Sequence, residues 1–354
     1  MPLAGRLAGG PMRWLARAAL AALVAFAAPA QATFHTFHID QLFSTADGAV
    51  QFIVLKESAN VAGQNLLTGV ALTVGRATFT KTYVFPNDLT DAATAGRSVL
   101  IATQGYASLR SRHPEYALPA ADYTVEDRFL PVDGGSLDYG GVDLFNYSLL
   151  PTNGSDALFR TIGTRANRAT NYAGASATLP PVPVAAVEFY NATLDHYFVS
   201  PLAPDIDALD SRRIPGWDRT GLQFFVYPYA ASLAGGGAAV PVCRFYIPPE
   251  HGNSHFFSAS ATECSKILTL SGSDPNYSGY VYETPEAFFV PLPDGITGAC
   301  PAGAPVAVYR LWNQRVDSNH RYTVDRAVKD QMVSRGSVAE GYGPDAVAMC
   351  ATTN

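Results

Sequence analysis

The sequence predicts a mainly β protein in two parts: an antiparallel, sandwich-like region, then a three-unit β-rich region with one short helix per unit. Three observations carry that expectation. Pro and Gly together supply 55 of 354 residues and Phe and Tyr another 37, a mix that favours short strands joined by turns. Hydrophobic residues make up 48% and charged residues only 15%, so the chain has the material for a core and is not a disordered one. Finally, blocks of aromatic, strand-like residues return three times after residue 187.

Residues 1–32 read as a secretory leader. Arg6, Arg13 and Arg17 precede the apolar run Ala18 to Ala28, and Ala30-Gln31-Ala32 has the small-x-small form of a cleavage site. The run is too short for a bilayer core of about 30 Å, although a retained anchor is the bland alternative. No Cys follows the cleavage point, and no later segment has the length and apolarity of a membrane span. The mature chain is expected to begin at Thr33, secreted or periplasmic. Without the leader, 21 basic and 30 acidic residues leave a net charge of −9. Only Lys56, Lys81, Lys266 and Lys329 are lysines, and none clusters with Arg. Nucleic acid and anionic lipid both demand a concentrated positive field, so neither is an expected partner.

The first region, 33–178, carries strand-like runs at Thr36–Phe43, Val50–Leu55, Leu67–Val74, Phe79–Phe85, Val99–Ala102 and Val142–Tyr147. Turn chemistry such as Asp47-Gly48, Pro86-Asn87-Asp88 and Asp133-Gly134-Gly135 separates them, and no helix-period segment interrupts them. The order of Val50-Gln-Phe-Ile-Val-Leu-Lys56, a second strand and Ser98-Val-Leu-Ile-Ala102 weakly resembles the immunoglobulin-like tail domain of lamins. Val54 stands where that family usually has an acid. The Pro-rich stretch 179–186 follows and is expected to be an extended, stiff linker between domains. Gly235-Gly-Gly237 reads as a loop inside the second region.

From 187 to 354 the chain repeats itself. The units open on Val187-Glu-Phe-Tyr-Asn191, Val242-Cys-Arg-Phe-Tyr246 and Val308-Tyr-Arg-Leu-Trp312. They continue through Asp195-His196, Ser254-His255 and Asn319-His320, and close on Gln223 to Tyr227, Ala287 to Val290 and Ala346 to Met349. Between the last two blocks lies room for one helix. Ser200-Pro201 offers a cap with proline at the first position, Ser260-Ala-Thr-Glu263 has the capping-box form, and Asp325 to Arg335 runs into Gly336. The unit is strand, strand, helix, strand at a period of roughly 45–60 residues. With its aromatic pairs and repeated His, the region resembles a tandem repeat domain of unknown function found near the C-terminus of exported bacterial proteins, a resemblance that implies no activity.

Cys243, Cys264, Cys300 and Cys350 all lie in this region. Their long separations suit zinc poorly, and an exported chain meets an oxidising compartment, so disulfides are expected. Four cysteines allow three connectivities. Only Cys243–Cys264 with Cys300–Cys350 keeps each pair inside one unit.

Candidate chemistry is sparse. If the three units close about a pseudo-threefold axis, His196, His255 and His320 converge on a metal or another ligand; packed beside aromatics, they instead satisfy buried polar partners. Tyr190, Tyr246 and Trp312 alternate along their strands with Phe189, Phe245 and Leu311, so one member of each pair faces the core. The other is free to pack between units or to stack on a sugar ring. His35 and His38 project from opposite faces of one strand. Asp133, Asp138 and Asp143 match no calcium motif, and the sequons at Asn146, Asn153, Asn191 and Asn276 matter only in a glycosylating host. No G-x-S-x-G elbow, H-E-x-x-H or phosphate loop occurs, and no cofactor is implied. The expected function is non-enzymatic binding at or beyond the cell surface, with extracellular or cell-wall glycan as the favoured ligand. The alternative is a secreted hydrolase whose residues gather only in three dimensions.

Overall fold

A computed structural model describes residues 34–76, 79–233 and 237–353. The leader expected at 1–32 and the Gly235-Gly236 part of the glycine loop lie outside these residues.

The first region runs β1 (Phe37–Ser44), β2 (Gln51–Glu57), β3 (Ala71–Arg76), β4 (Phe79–Val84), β5 (Ser98–Thr103), α1 (Gln104–Arg112), β6 (Tyr123–Val125), β7 (Gly135–Tyr139), β8 (Asp143–Tyr147), β9 (Asp156–Phe159), β10 (Gly163–Ala166), β11 (Ala169–Thr170) and β12 (Ser176–Ala177). It forms a six-stranded sheet, β10-β9-β1-β2-β5-β6, and a four-stranded sheet, β4-β3-β7-β8. Leu42, Ile53, Leu55, Val99 and Ile101 of the larger sheet meet Leu72, Val74, Leu137 and Tyr139 of the smaller in one core. This is the expected sandwich, antiparallel except where β6 joins β5 in parallel.

The larger sheet is covered on its other face too. Phe43, Phe52, Val54, Leu100 and Ala102 pack under Tyr106 and Leu109 of α1 and under Leu179 and Val182. Burial on both faces explains why β2 and β5 are near-continuous apolar runs without alternation. Helix α1 was not expected from the sequence. It is capped by Thr103, whose Oγ1 accepts the Tyr106 N–H, and it buries only Tyr106 and Leu109, too few apolar residues to show a helical period. The Pro-rich stretch also differs from an exposed spacer. Leu179 and Val182 are buried against the sheet, and residues from Val184 onward already belong to a strand.

The second region contains β13 (Val184–Asn191), β14 (His196–Ser200), α2 (Ala203–Asp210) and β15 (Asp218–Val226); then β16 (Val240–Ile247), β17 (Ser254–Ser258), α3 (Ala261–Ser271) and β18 (Val281–Val290); then β19 (Val306–Trp312), β20 (His320–Thr323), α4 (Arg326–Ser334), β21 (Val338–Glu340) and β22 (Val347–Ala351). Each set makes an antiparallel sheet with its first strand in the middle, and in the last set β21 and β22 share the outer position. Register pairs Ala186 with Phe224, Val242 with Phe288 and Val308 with Met349, and all six enter one core with Val199, Phe257 and Tyr322. The cap expected at Ser260 forms, and the last helix, expected from Asp325 to Arg335, runs from Arg326 to Ser334 with Asp325 as its cap. At α2 the cap is Leu202, not Ser200. Ser200 Oγ instead accepts the Leu202 N–H and donates to Asp205.

Disulfides join Cys243 to Cys264 and Cys300 to Cys350, the pairing read from the sequence. The regions are also tied together. Ala46 of the first sits in the second core and Ala203 of the second sits in the first core, linked by an Ala203 N–H bond to the Ala46 carbonyl of 2.8 Å. Arg128 adds ion pairs to Asp207 and Asp210. No described helix is long and apolar enough to cross a membrane.

Candidate functional site

Strand alternation buries Phe189, Phe245 and Leu311 and leaves Tyr190, Tyr246 and Trp312 half-buried on the opposite face. Each of the latter fixes its polar tip to the loop that precedes the next strand. Tyr190 donates to Asp195 Oδ1, Tyr246 to Asn253 Oδ1 and Trp312 Nε1 to Ser318 Oγ, at 3.0–3.1 Å. The rings are therefore held in place at their edges, and their faces are set by the backbone.

The strand register corrects the histidine alignment. Tyr246 pairs with His255 and Trp312 with His320, but Tyr190 pairs with Tyr197. His196 lies one position earlier, level with Ser254 and Asn319. The turns after Tyr190, Tyr246 and Trp312 differ in length, so an alignment anchored on the His slips by one in the first unit. His196 is fully buried, its Nε2 3.1 Å from the Asp317 carbonyl. Burial pushes its pKa down. Beside it, Asn319 donates to Ser254 Oγ and the Tyr197 carbonyl and accepts the Tyr197 N–H. Level residues from all three sheets thus make one buried polar plug. The three histidines do not converge, and among the described residues no group of three His, Cys, Asp or Glu side chains could hold a metal.

What the structure assembles instead is a pair of matching clefts between successive sheets. Cleft one, about 370 Å³, lies between the first and second sheets and is lined by Phe198, Trp217 and Tyr246 with Asp205, Arg244, His255 and Glu283. Cleft two, about 530 Å³, lies between the second and third and has Phe256, Tyr280 and Trp312 with Glu263, His320 and Glu340. An Arg on the middle strand bridges two carboxylates of each cleft, Arg244 from within the lining of cleft one and Arg310 from behind that of cleft two. Arg244 Nη1 is 2.6 Å from Asp205 on the preceding unit's helix, and Nε is 2.7 Å from Glu283 on its own outer strand. Arg310 holds both oxygens of Glu263 on the preceding helix, at 2.8 and 2.9 Å, and Nε reaches Glu340 at 2.9 Å. The outer-strand Glu then meets the His, at 3.4 Å for His255–Glu283 and 3.3 Å for His320–Glu340.

Electrostatics follow from these contacts. Burial alone would raise the Glu283 and Glu340 carboxyls, but the His hydrogen bonds and the Arg charges outweigh it and hold both below the usual range. Glu263 is held down likewise by Arg310. Loss of hydration pushes the His320 imidazole down against the pull of Glu340, which fits a neutral ring donating Nε2–H to that carboxylate. Its Nδ1 is buried without a partner.

At the junction of the third and first sheets the arrangement is inverted. Glu188 occupies the strand position of Arg244 and Arg310, and Arg321 binds both its oxygens at 2.9 Å while lying 3.9 Å over the Tyr197 ring. Tyr190 stands against Tyr197 with ring centroids 4.7 Å apart.

Of the residues singled out in the sequence, Tyr246 and His255 line cleft one, Trp312 and His320 line cleft two, and Tyr190 and His196 line neither. Arg244, Arg310 and their carboxylates stand outside the residues singled out in the sequence. Their signal was present: an Arg stands two residues before the aromatic in the second and third units.

Residues 185–347 match the family described as "Domain of unknown function (DUF5648)", a span from β13 to the first residue of β22. No curated protein is significantly similar to the chain.

Proposed function

We propose that this is an exported, non-enzymatic glycan-binding protein built on three copies of one repeat, with a sugar ring held in each cleft. The observation that carries the reading is the recurrence in both clefts of an aromatic wall beside a fixed Arg–carboxylate–His rack. A pyranose offers an apolar C–H face to an aromatic and a rim of hydroxyls that need both donors and acceptors. Ionised carboxylates accept several hydrogen bonds at once, and the partly exposed His255 ring adds a polar edge in cleft one. The rack is pre-organised by its own ion pairs, which lowers the ordering cost of binding. Two disulfides and the leader-like sequence support an oxidising, exported setting.

A hydrolase is the weaker reading. Glycoside cleavage calls for a carboxylic acid with a raised pKa, and Glu263, Glu283 and Glu340 are all held down.

A glycan array on the mature protein, repeated with Tyr246→Ala and Trp312→Ala, tests the proposal. Each single variant should weaken binding and the pair should abolish it, while the fold is unchanged by circular dichroism. Absence of any glycan signal from the wild type, or full binding by the double variant, overturns the reading.

A further inference from the structure

The two clefts are alike in plan and unlike in charge. Counting from the shared helix start, Asp205 corresponds to Glu263 and Leu209 to Ile267, so Ala208 of α2 corresponds to Lys266 of α3. Cleft one is lined by Asp205 and Glu283 against Arg244, an excess of one carboxylate before the histidine is considered. Cleft two is lined by Glu263 and Glu340 against Arg315 and Lys266, so its charges balance where those of cleft one do not. The two cations are not equivalent. Arg315 is already committed to Asp195 and Asp317. Lys266 is exposed on the cleft wall, and no ion pair joins it among the described residues. Its neighbour one turn back, Glu263, cannot serve it well, because Arg310 occupies both carboxylate oxygens.

Resting on the glycan-binding reading above, we propose that the clefts have different tastes and that cleft two takes an acidic sugar, a hexuronate. The ring lies against Trp312, and its carboxylate reaches the Lys266 ammonium. A compact, rotatable ammonium at the rim suits a ligand carboxylate that arrives with the sugar. Cleft one, with Ala208 at that place, takes a neutral ring. Lys266 is then the specificity-determining residue of cleft two, and it leaves the rack behind it untouched.

The test is titration calorimetry of the mature protein with a hexuronate trisaccharide and with its carboxyl-reduced, neutral counterpart. The acidic probe should bind cleft two about fivefold more tightly than the neutral one at low salt, the scale of one exposed ion pair, and the margin should shrink in high salt. Lys266→Ala should remove the margin and leave the neutral probe's affinity unchanged. Trp312→Ala should weaken both probes, whereas Tyr246→Ala should spare the acidic margin. Equal affinities for the two probes in the wild type, or a margin that survives Lys266→Ala, overturns the assignment while leaving glycan binding standing. Failure of either probe to bind, joined to a blank glycan array, overturns both.

Discussion

Arg310 and Glu263 meet fork to fork across a sheet boundary, with two parallel N–H···O bonds of 2.8 and 2.9 Å. The arginine belongs to the third sheet and the glutamate to the helix of the second. Arg310 Nε is spent on Glu340, so one side chain neutralises a carboxylate from each of two units. At 7% exposure it has little water to fall back on.

Removing it therefore strands two partly buried carboxylates. Breaking a buried pair costs about 3–5 kcal/mol, and the one-third exposure of Glu263 lowers that to about 2–3 kcal/mol for Arg310→Ala. Urea denaturation of Arg310→Ala should show this loss, and adding Glu263→Gln should recover part of it. Additive losses in the double variant would mean that the pair is not coupled.

Asn319 ties the third sheet to both of the others. Its amide serves the Tyr197 N–H and carbonyl and the Ser254 hydroxyl, so Asn319→Ala leaves several buried groups unpaired. At about 1–3 kcal/mol per orphaned group, the loss should reach at least 3 kcal/mol and lower the Tm by more than any single cleft substitution. Differential scanning calorimetry reads it directly. A loss below 1 kcal/mol would show that water replaces the amide.

Acid should lower the protein's stability over two pH windows. His320 and His196 are pushed below the ordinary 6.5 by burial. Their contribution to stability is therefore complete above pH 6.5 and is lost as the pH falls below it. Glu263, Glu283 and Glu340 are held below the ordinary 4.5, so theirs is complete above pH 4.5 and fades beneath it. Asp47, buried and pushed up, acts in the opposite direction. Against that background the His320→Gln variant should lose less Tm than the wild type between about pH 7 and pH 5. Parallel curves would show that His320 titrates alike in the folded and unfolded chain.

The parts legible in the sequence are those written in short-range chemistry. Alternation at Phe245-Tyr246 and Leu311-Trp312, the cap at Ser260, the helix ending before Gly336 and the pairing of four cysteines all depend on neighbours within one unit. Helix α1 was hidden because Tyr106 and Leu109 alone cannot display a period. The second cover of the large sheet was hidden because Leu179 and Val182 are distant in sequence from the strands they bury. The clefts were half visible. Their aromatics and two histidines repeat in the sequence, but Asp205 with Arg244 and Glu263 with Arg310 come together only across sheet boundaries. The slip at His196 has the same origin: a turn of different length moves a side chain from a cleft to the central plug without disturbing the sequence pattern.

The bond between Cys300 and Cys350 has a mechanical consequence. Strand β22 closes the last sheet, and the Thr352 N–H reaches across to the Phe225 carbonyl of the first. A pull on the C-terminus would peel that strand residue by residue, as a zipper opens, until it met Cys350. There the load passes into a covalent bridge anchored ahead of β19, and the tension bypasses the hydrogen-bonded seam. A load applied at this end would free only the residues beyond 350 before it met the bridge.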